Sequence, residues 1–291
     1  MMPDPDLTNP RAERVKAVRG LAGRSARSRH GQFLAEGPQT VREAVAFAAE
    51  HVRDVYLTPQ AAERYPEIVD AAHIAGLYLH LGSPEVLDAM SPDAQGVLAV
   101  LNTWDTPLAS VLAADPAPRL IALLSQVRDP GNAGTVIRAA DAAGADAVIL
   151  TSASVDAHNP KVVRATAGSL FHVPVVTGLT LDDAVTAARA AGMQILAADG
   201  AGAVDLDELA ESPRSGADGA GGADLAAPTV WVFGNEAWGL GAPERALADA
   251  VVRIPIRGRA ESLNLAMAAT LCLYASGRAP RHRRPWEPTE W

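Results

Sequence analysis

Val230-Trp231-Val232-Phe233-Gly234-Asn235-Glu236-Ala237-Trp238-Gly239-Leu240 is an apolar run that ends in a glycine-rich turn. The apolar residues predict a strand, and open α/β sheets bind their ligands beyond the carboxyl ends of their strands. At that position Gly234 allows the backbone to approach a ligand closely, and Glu236 places a charge beside it. The stretch therefore indicates a ligand site in an α/β fold, although a glycine-rich turn with a solvated Glu would have the same sequence.

A second turn of this kind follows Leu120–Leu124, whose lack of charge is typical of a parallel strand covered on both faces. In the loop Gln126–Gly134, proline and glycine turn the chain, and Asn132 is the expected N-cap of a helix that ends before Gly144. Arg138 follows about 1.7 turns into this helix. An N-capped helix with a surface arginine would explain this loop equally well.

The third turn is Ile254–Asn264, which again leads from a predicted strand into a helix. Ser262 is the expected N-cap of that helix, which we predict over Ser262–Ala275. Asn264 would then lie inside the first turn, where Asn is a poor helix former. The cap explains Ser262 without any function, whereas it leaves Asn264 unexplained.

Helix and strand signals alternate along both halves of the chain, which predicts two α/β domains. The proline-containing residues 104–118 are the expected linker between an N-terminal domain over 1–103 and a second domain over 119–277. Residues 278–291 form a basic tail. Ser212–Ala227, rich in Gly, Ala, Asp and Ser, is expected to be a flexible surface insertion.

The composition is that of an ordinary globular protein, with 291 residues, 48% of them hydrophobic and 20% charged. One cysteine excludes an intramolecular disulfide and fits a reducing cytoplasm. The first residues lack the basic and apolar regions of a signal peptide, and no apolar run reaches the ~20 residues of a membrane span, so we expect a cytoplasmic protein without membrane contact. The seven histidines have no ligand spacing and there is no phosphate-binding glycine loop, so neither a metal nor a nucleotide-dependent enzyme is expected.

Charge is distributed unevenly along the chain, whose net charge is −9. Residues 11–29 hold seven basic side chains against Glu13 alone, so this segment carries +6. Clustered positive charge predicts contact with nucleic acid, and a solvated segment that keeps the terminus soluble is the alternative. Arg24, Arg27 and Arg29 are expected on a loop of Ser and Gly residues, from which they would follow an RNA backbone.

In this order and spacing, the three loops resemble the three motifs of the SpoU/TrmH family of RNA 2′-O-methyltransferases. The matching residues are Asn132–Arg138, Gly234–Leu240 and Ile254–Asn264. Arg14–Val45 is also similar to the family's N-terminal RNA-binding domain, which resembles certain small ribosomal proteins. The likeness covers roughly residues 10–277 and includes one departure, Ile256, where the family usually has Met.

The resemblance implies a C-terminal doubly wound parallel sheet with a deep trefoil knot, preceded by the small α/β RNA-binding domain. It also implies a homodimer, to which the last helix contributes a small apolar face that includes Ala269, Cys272 and Leu273. The implied cofactor is S-adenosyl-L-methionine, bent into the knot. The residues that would hold it are Ala198, Asp199, Gly200, Gly234, Asn235, Ile254, Ile256 and Leu263.

By the same resemblance, the activity is methylation of a ribose 2′-hydroxyl in structured RNA, with Arg138 beside the nucleophilic oxygen. Since the pKa of arginine exceeds about 12, we expect Arg138 to stabilise developing negative charge rather than to act as a base. The other expected site residues are Asn132, Glu236, Ser262 and Asn264, which would orient the loops, the ribose or the cofactor. Ribosomal RNA is the expected substrate. The alternatives are transfer RNA and a non-catalytic RNA-binding role in ribosome assembly.

Overall fold

The computed structural model describes residues 5–211 and 222–279, which form two compact units. Unit 1 contains the described residues up to Asp105 together with Asp156–His172. Unit 2 contains Thr106–Val155 and the described residues from Val173 onward. Asp156–His172 therefore packs with the N-terminal residues, although it lies in the middle of the stretch that the sequence assigns to one domain.

Helices and strands alternate along the described chain, as the sequence predicts. The strands are β1 (Gln32–Glu36), β2 (Val52–Leu57), β3 (Tyr78–Leu81), β4 (Val97–Asn102), β5 (Leu120–Leu124), β6 (Ala147–Leu150), β7 (Val175–Thr177), β8 (Gln194–Ala198), β9 (Val204–Asp205), β10 (Thr229–Phe233) and β11 (Ala250–Arg253). The helices are α1 (Glu13–Gly20), α2 (Arg24–His30), α3 (Pro38–Phe47), α4 (Pro59–Arg64), α5 (Pro66–Ile74), α6 (Pro84–Met90), α7 (Leu108–Leu112), α8 (Pro130–Ala142), α9 (Pro160–Ala165), α10 (Leu181–Ala190), α11 (Leu206–Glu211), α12 (Ala242–Ala246) and α13 (Leu265–Arg278).

Unit 1 is built on a four-stranded sheet with the order β1-β4-β2-β3. β4 is antiparallel to both of its neighbours, whereas β2 and β3 are parallel. Apolar side chains from α1 and α6 pack against this sheet around the buried residues Leu34, Tyr56 and Leu98. The unit is the small α/β domain that the alternation of helices and strands predicts.

Arg27 is buried inside unit 1. The prediction that Arg24, Arg27 and Arg29 lie on a loop is wrong, because these residues form α2, whose register turns Arg27 inward until only 4% of it is exposed. Its guanidinium donates to Oδ2 of Asp156 at 2.6 and 3.1 Å and to two main-chain carbonyls. Burial by itself raises the pKa of Asp156, but the hydrogen bonds from Arg27 hold this pKa below its usual value. Arg27 therefore binds the Asp156–His172 segment and is not available at the surface.

Unit 2 contains a parallel seven-stranded sheet with the order β7-β6-β5-β10-β8-β11-β9. Helices cover both of its faces. Val230 of β10 belongs to an apolar cluster with α7 and α10, whereas Trp231 faces α13 and donates from Nε1 to Oγ of Ser276 at 2.8 Å. α13 runs close to α8, since a Cβ at Gly277 would overlap the carbonyl of Ala143. These features confirm the doubly wound parallel sheet that the resemblance implies.

Part of the expected flexible insertion is packed. Ala223, Leu225 and Ala226 are buried, because these apolar side chains follow the polar part of the segment and reach the core. Residues 212–221 of the insertion and 280–291 of the predicted tail lie outside the described residues. Within the described ranges, no helix has the length and apolar character needed to cross a membrane.

We expect Arg27→Ala to lower the free energy of unfolding by about 1–3 kcal/mol, because it removes the hydrogen bonds of a buried guanidinium to two main-chain carbonyls and to the half-buried carboxylate of Asp156. Arg29→Ala is the matched control on the same helix, and since Arg29 is exposed, its effect should stay within about 0.5 kcal/mol. Thermal and urea unfolding of the whole chain measure both. Equal effects of the two variants would contradict the assignment of Arg27 as a structural residue.

Candidate functional site

Four loops of unit 2 start at the carboxyl ends of parallel strands. Three are the sequence motifs after β5, β10 and β11, and the fourth follows β8 at Asp199. Because the strands are parallel, their carboxyl ends meet at one edge of the sheet, where open α/β sheets bind ligands. The site predicted from the sequence therefore lies at this edge.

A cavity of about 290 Å³ opens among these loops. Its lining includes every one of the eight residues that the resemblance assigns to cofactor binding: Ala198, Asp199, Gly200, Gly234, Asn235, Ile254, Ile256 and Leu263. Glu236 and Ser262 line it as well. Further lining residues that the sequence analysis did not single out include Val252, Glu261 and Leu265, which lie within two residues of predicted ones, and Ala268, which lies four residues after Asn264.

The carboxylate of Glu236 binds the N-terminal end of α8. It accepts hydrogen bonds from the backbone N–H groups of Asp129 (3.0 Å) and Arg128 (3.4 Å) and from Nδ2 of Asn132 (3.4 Å). A negative charge is favourable there because the first N–H groups of a helix have no partners within the helix. Glu236 therefore ties the β10 loop to the β5 loop.

Asp129, and not Asn132, is the N-cap of α8. The expectation for Asn132 is wrong because the helix already begins at Pro130, and Oδ1 of Asp129 accepts the N–H of Asn132 at 2.7 Å. The side chain of Asn132 is consequently available for contacts between loops. Its Oδ1 accepts a hydrogen bond from Nδ2 of Asn264 at 2.9 Å.

Asn264 is the N-cap of α13, so the prediction of Ser262 in that role is also wrong. Oδ1 of Asn264 accepts from the N–H groups of Ala266 at 2.9 Å and Met267 at 3.4 Å. Because Asn264 is the cap, α13 begins at Leu265 and not at the predicted Ser262. Ser262 lines the cavity instead. Capping explains the Asn that looked misplaced within a helix.

A second carboxylate, Glu244 on α12, joins the same two loops. It accepts hydrogen bonds from Oγ of Ser125 (2.9 Å), Nε2 of Gln126 (3.0 Å) and the N–H of Gly241 (2.7 Å). Gln126 has a left-handed backbone with φ of 56°, and its carbonyl accepts from Nδ2 of Asn235 at 2.7 Å. The sequence analysis missed this network, because a separation of 118 residues leaves no local signal.

Gly234 is required by the backbone of its own loop. A Cβ at this position would overlap the main chain of Gly239 and Leu240, which folds back over it. Asp199 supports the fold-back, since its Oδ2 lies 3.4 Å from the N–H of Leu240 and 3.6 Å from the guanidinium of Arg245. Close backbone approach thus explains this glycine, as the sequence predicts, but the approaching group is the protein's own chain.

Arg138 is not brought to the cavity within one chain. It is exposed on α8 and is absent from the cavity lining, and no hydrogen bond or ion pair is recorded for it among residues 5–211 and 222–279. Arg24 and Arg29 are exposed on α2 of unit 1. The structure therefore brings Asn132 and Glu236 together at the cavity, whereas the three arginines do not line it.

The lining combines carboxylates with apolar side chains. Asp199, Glu236 and Glu261 supply negative charge, and Ile254, Ile256 and Leu263 supply an apolar wall. Such a lining suits a ligand that has both cationic groups and a flat apolar ring. Within the described ranges, no group of His, Cys, Asp and Glu side chains has the arrangement of a metal site.

Two family models match the chain. Residues 119–274 match the model described as the SpoU rRNA Methylase family, and residues 12–99 match the model described as an MRM3-like substrate binding domain. The first match includes all three motif loops and the cavity. The second match lies within unit 1.

Named relatives cover nearly the whole chain. The chain is 32% identical to the 23S rRNA (uridine(2479)-2'-O)-methyltransferase of Streptomyces viridochromogenes, over 94% of this chain and 96% of that protein. It is 29% identical to the 23S rRNA (guanosine(2553)-2'-O)-methyltransferase RlmP of Bacillus subtilis, over 90% of this chain and 95% of that protein. The structure is similar to that of an AdoMet-bound rRNA methyltransferase from Sinorhizobium meliloti, with a TM-score of 0.77, 30% identity, and coverage of 94% of this chain and 97% of that one.

We expect Asn264→Ala to lower the free energy of unfolding by about 1 kcal/mol, because α13 loses its cap. Asn264→Asp should cost less, since its carboxylate still caps the helix while the donor to Asn132 is gone. Urea unfolding of both variants separates the cap from the contact between loops. An equal loss in both would show that the contact with Asn132, and not the cap, stabilises this region.

Proposed function

Since the chain belongs to the SpoU rRNA methylase family, we propose that it transfers a methyl group from S-adenosyl-L-methionine to a ribose 2′-hydroxyl of ribosomal RNA. One observation carries the proposal. Asn132 donates a hydrogen bond to Glu236 and accepts one from Asn264, and these two bonds join all three motif loops beside the cavity. One residue from each of the three motifs thus meets the others at one place.

The cavity residues fit S-adenosyl-L-methionine. Its sulfonium and ammonium groups are cations that the carboxylates of Asp199, Glu236 and Glu261 would attract, and its adenine is a flat ring that Ile254 and Leu263 would contact. When bound, the cofactor supplies an electrophilic methyl group. The protein's own contribution is to hold donor and acceptor in line, because well-oriented reactants can lose roughly 7–11 kcal/mol of their barrier by positioning alone.

Arg138 is the residue that we assign to the acceptor hydroxyl. Its guanidinium would bind the adjacent phosphate and donate a hydrogen bond to the nucleophilic oxygen, whose negative charge grows as its proton leaves. Glu236 and Asn132 act on the beginning of α8, the helix that carries Arg138. They are therefore positioning residues in this proposal, as are Ser262 and Asn264 on the third loop.

We propose that two copies complete each site. Arg138 does not line the cavity of its own chain, so a second copy would bring its Arg138 to it. The small residues Ala269, Cys272 and Leu273 are buried within their own chain rather than available for this contact. The outward face of α13 carries Met267, Leu271 and Tyr274 instead, exposed by 64%, 47% and 36%.

The deep trefoil knot that the resemblance implies, in the C-terminal part of the parallel sheet, is part of this proposal. The proposed substrate is ribosomal RNA, which also implies that the protein works in the cytoplasm. The two named relatives modify a uridine and a guanosine. We therefore propose the ribose, and not a particular base, as the chemical target.

We expect the wild-type protein to transfer labelled methyl groups from S-adenosyl-L-methionine to unmodified 23S rRNA made by transcription. Arg138→Ala should lower kcat by about 100-fold or more, because a donor to the developing oxyanion is lost. The kcat of Arg138→Lys should be less than about tenfold above that of Arg138→Ala, because a lysine cannot replace the planar fork of donors. Mapping of the methylated ribose in the product identifies the nucleotide.

Calorimetric titration with S-adenosyl-L-methionine is the control, and Arg138→Ala should bind it like the wild type. Near-native turnover by a dimeric Arg138→Ala variant would contradict the role of Arg138. Transfer to deproteinised transfer RNA but not to 23S rRNA would show that the substrate assignment is wrong. Failure of the wild type to bind the cofactor would favour the non-catalytic RNA-binding role.

For RNA binding, we expect the double variant Arg24→Gln/Arg29→Gln to weaken affinity for the 23S transcript. It should flatten the slope of log affinity against log salt by about 1.5, because two phosphate contacts are lost. Filter binding at several salt concentrations measures this slope. Cofactor affinity should not change, and an unaltered salt slope would count against α2 as an RNA contact.

A further inference from the structure

Trp238 is a large apolar side chain held in the open. It is 54% exposed at the tip of the turn that runs from Asn235 to Gly239. Two backbone hydrogen bonds between Asn235 and Gly239, of 3.1 and 2.9 Å, close this turn, and Oδ1 of Asn235 accepts the N–H of Ala237 at 2.8 Å. The indole is therefore exposed on a fixed turn and not on a loose loop.

The turn places the indole at the rim of the cavity. Its neighbours Ala237 and Gly239 line the cavity, whereas Trp238 does not. Glu236, the residue before Ala237, binds the start of α8. Trp238 thus lies next to the proposed cofactor pocket, on the turn that is tied to the helix carrying Arg138.

Arg128 covers one side of this indole. Its Cζ lies 5.4 Å from the ring centroid, and its backbone N–H donates to Glu236 at 3.4 Å. A guanidinium over an indole is attractive, and about half of the Trp238 side chain remains exposed beside it. No second aromatic ring is recorded in contact with Trp238 in the part of the chain that the structure describes.

We propose that Trp238 and Arg128 form a binding subsite for the nucleobase of the nucleotide that is methylated. The base stacks on the free face of the indole, and Arg128 adds positive charge beside the neighbouring phosphate. Unpaired RNA bases are commonly bound in this way, by stacking on aromatic side chains and guanidinium planes. Stacking accepts any base, so this subsite fixes the sugar near the cavity rather than selecting the base.

This inference rests on the proposed function, and a variant series tests it separately. With the unmodified 23S transcript, Trp238→Ala should lower kcat/KM about tenfold, whereas Trp238→Phe, which keeps a ring, should lose less than about threefold. Arg128→Gln should also lose activity, whereas Arg128→Lys should retain most of it, and both keep the backbone contact to Glu236. Tyr78→Ala is the matched control, because Tyr78 is an exposed aromatic on β3 of unit 1.

Fluorescence provides the readout that a purely structural role would not give. Adding the 23S transcript to the wild type should quench tryptophan emission more than in Trp238→Phe, and the difference belongs to the stacked indole. Unchanged kcat/KM in Trp238→Ala, or equal quenching in both proteins, overturns the subsite. Dissociation of a dimer by Trp238→Ala also overturns it, because the residue would then belong to an interface. If the wild type binds the transcript but never methylates it, the proposed function fails, while the quenching still judges the subsite.

Discussion

The carboxylate of Glu236 at the beginning of α8 is the contact on which the site depends. It bridges two loops that are more than a hundred residues apart in the chain, and Asn132 extends the bridge to the third. A carboxylate is suited to this place because the first turn of a helix presents unpaired N–H groups and a positive end of the dipole. The same few atoms therefore set the geometry of the cavity rim and the start of the helix that carries Arg138.

Two carboxylates join these loops by accepting hydrogen bonds. Glu236 is exposed, whereas Glu244 is half-buried and accepts hydrogen bonds from Ser125 and Gln126. Gln126 is held in a left-handed conformation that is uncommon for any residue other than glycine or asparagine. Such a backbone persists only where surrounding contacts determine it, and here the contacts come from both loops.

Sequence reasoning found the loops and the fold class because these depend on local patterns. Uncharged strands, glycine turns and motif order are all visible along the chain. The family resemblance that the motifs carry implied the eight cofactor residues, all of which line the cavity. It did not predict features that depend on where a helix begins or on contacts between residues far apart in the chain. The observed helix caps lie three residues before the predicted Asn132 and two residues after the predicted Ser262, because several polar residues near a helix start can serve as the cap. In the sequence, Arg27 cannot be distinguished from Arg24 and Arg29. Only the helical structure of α2 shows that the side chain of Arg27 faces inward.

Asp156–His172 belongs to unit 1, and this has a consequence for any truncation of the protein. The family model begins its match at residue 119, which invites removal of everything before it. A chain shortened in this way would keep α9 but lose β1, the strand on which α9 packs. Buried side chains such as Val162 and Phe171 would then meet water, and Asp156 would lose its guanidinium. The shortened chain would be prone to aggregate, because it would lack the residues of unit 1 that cover this segment.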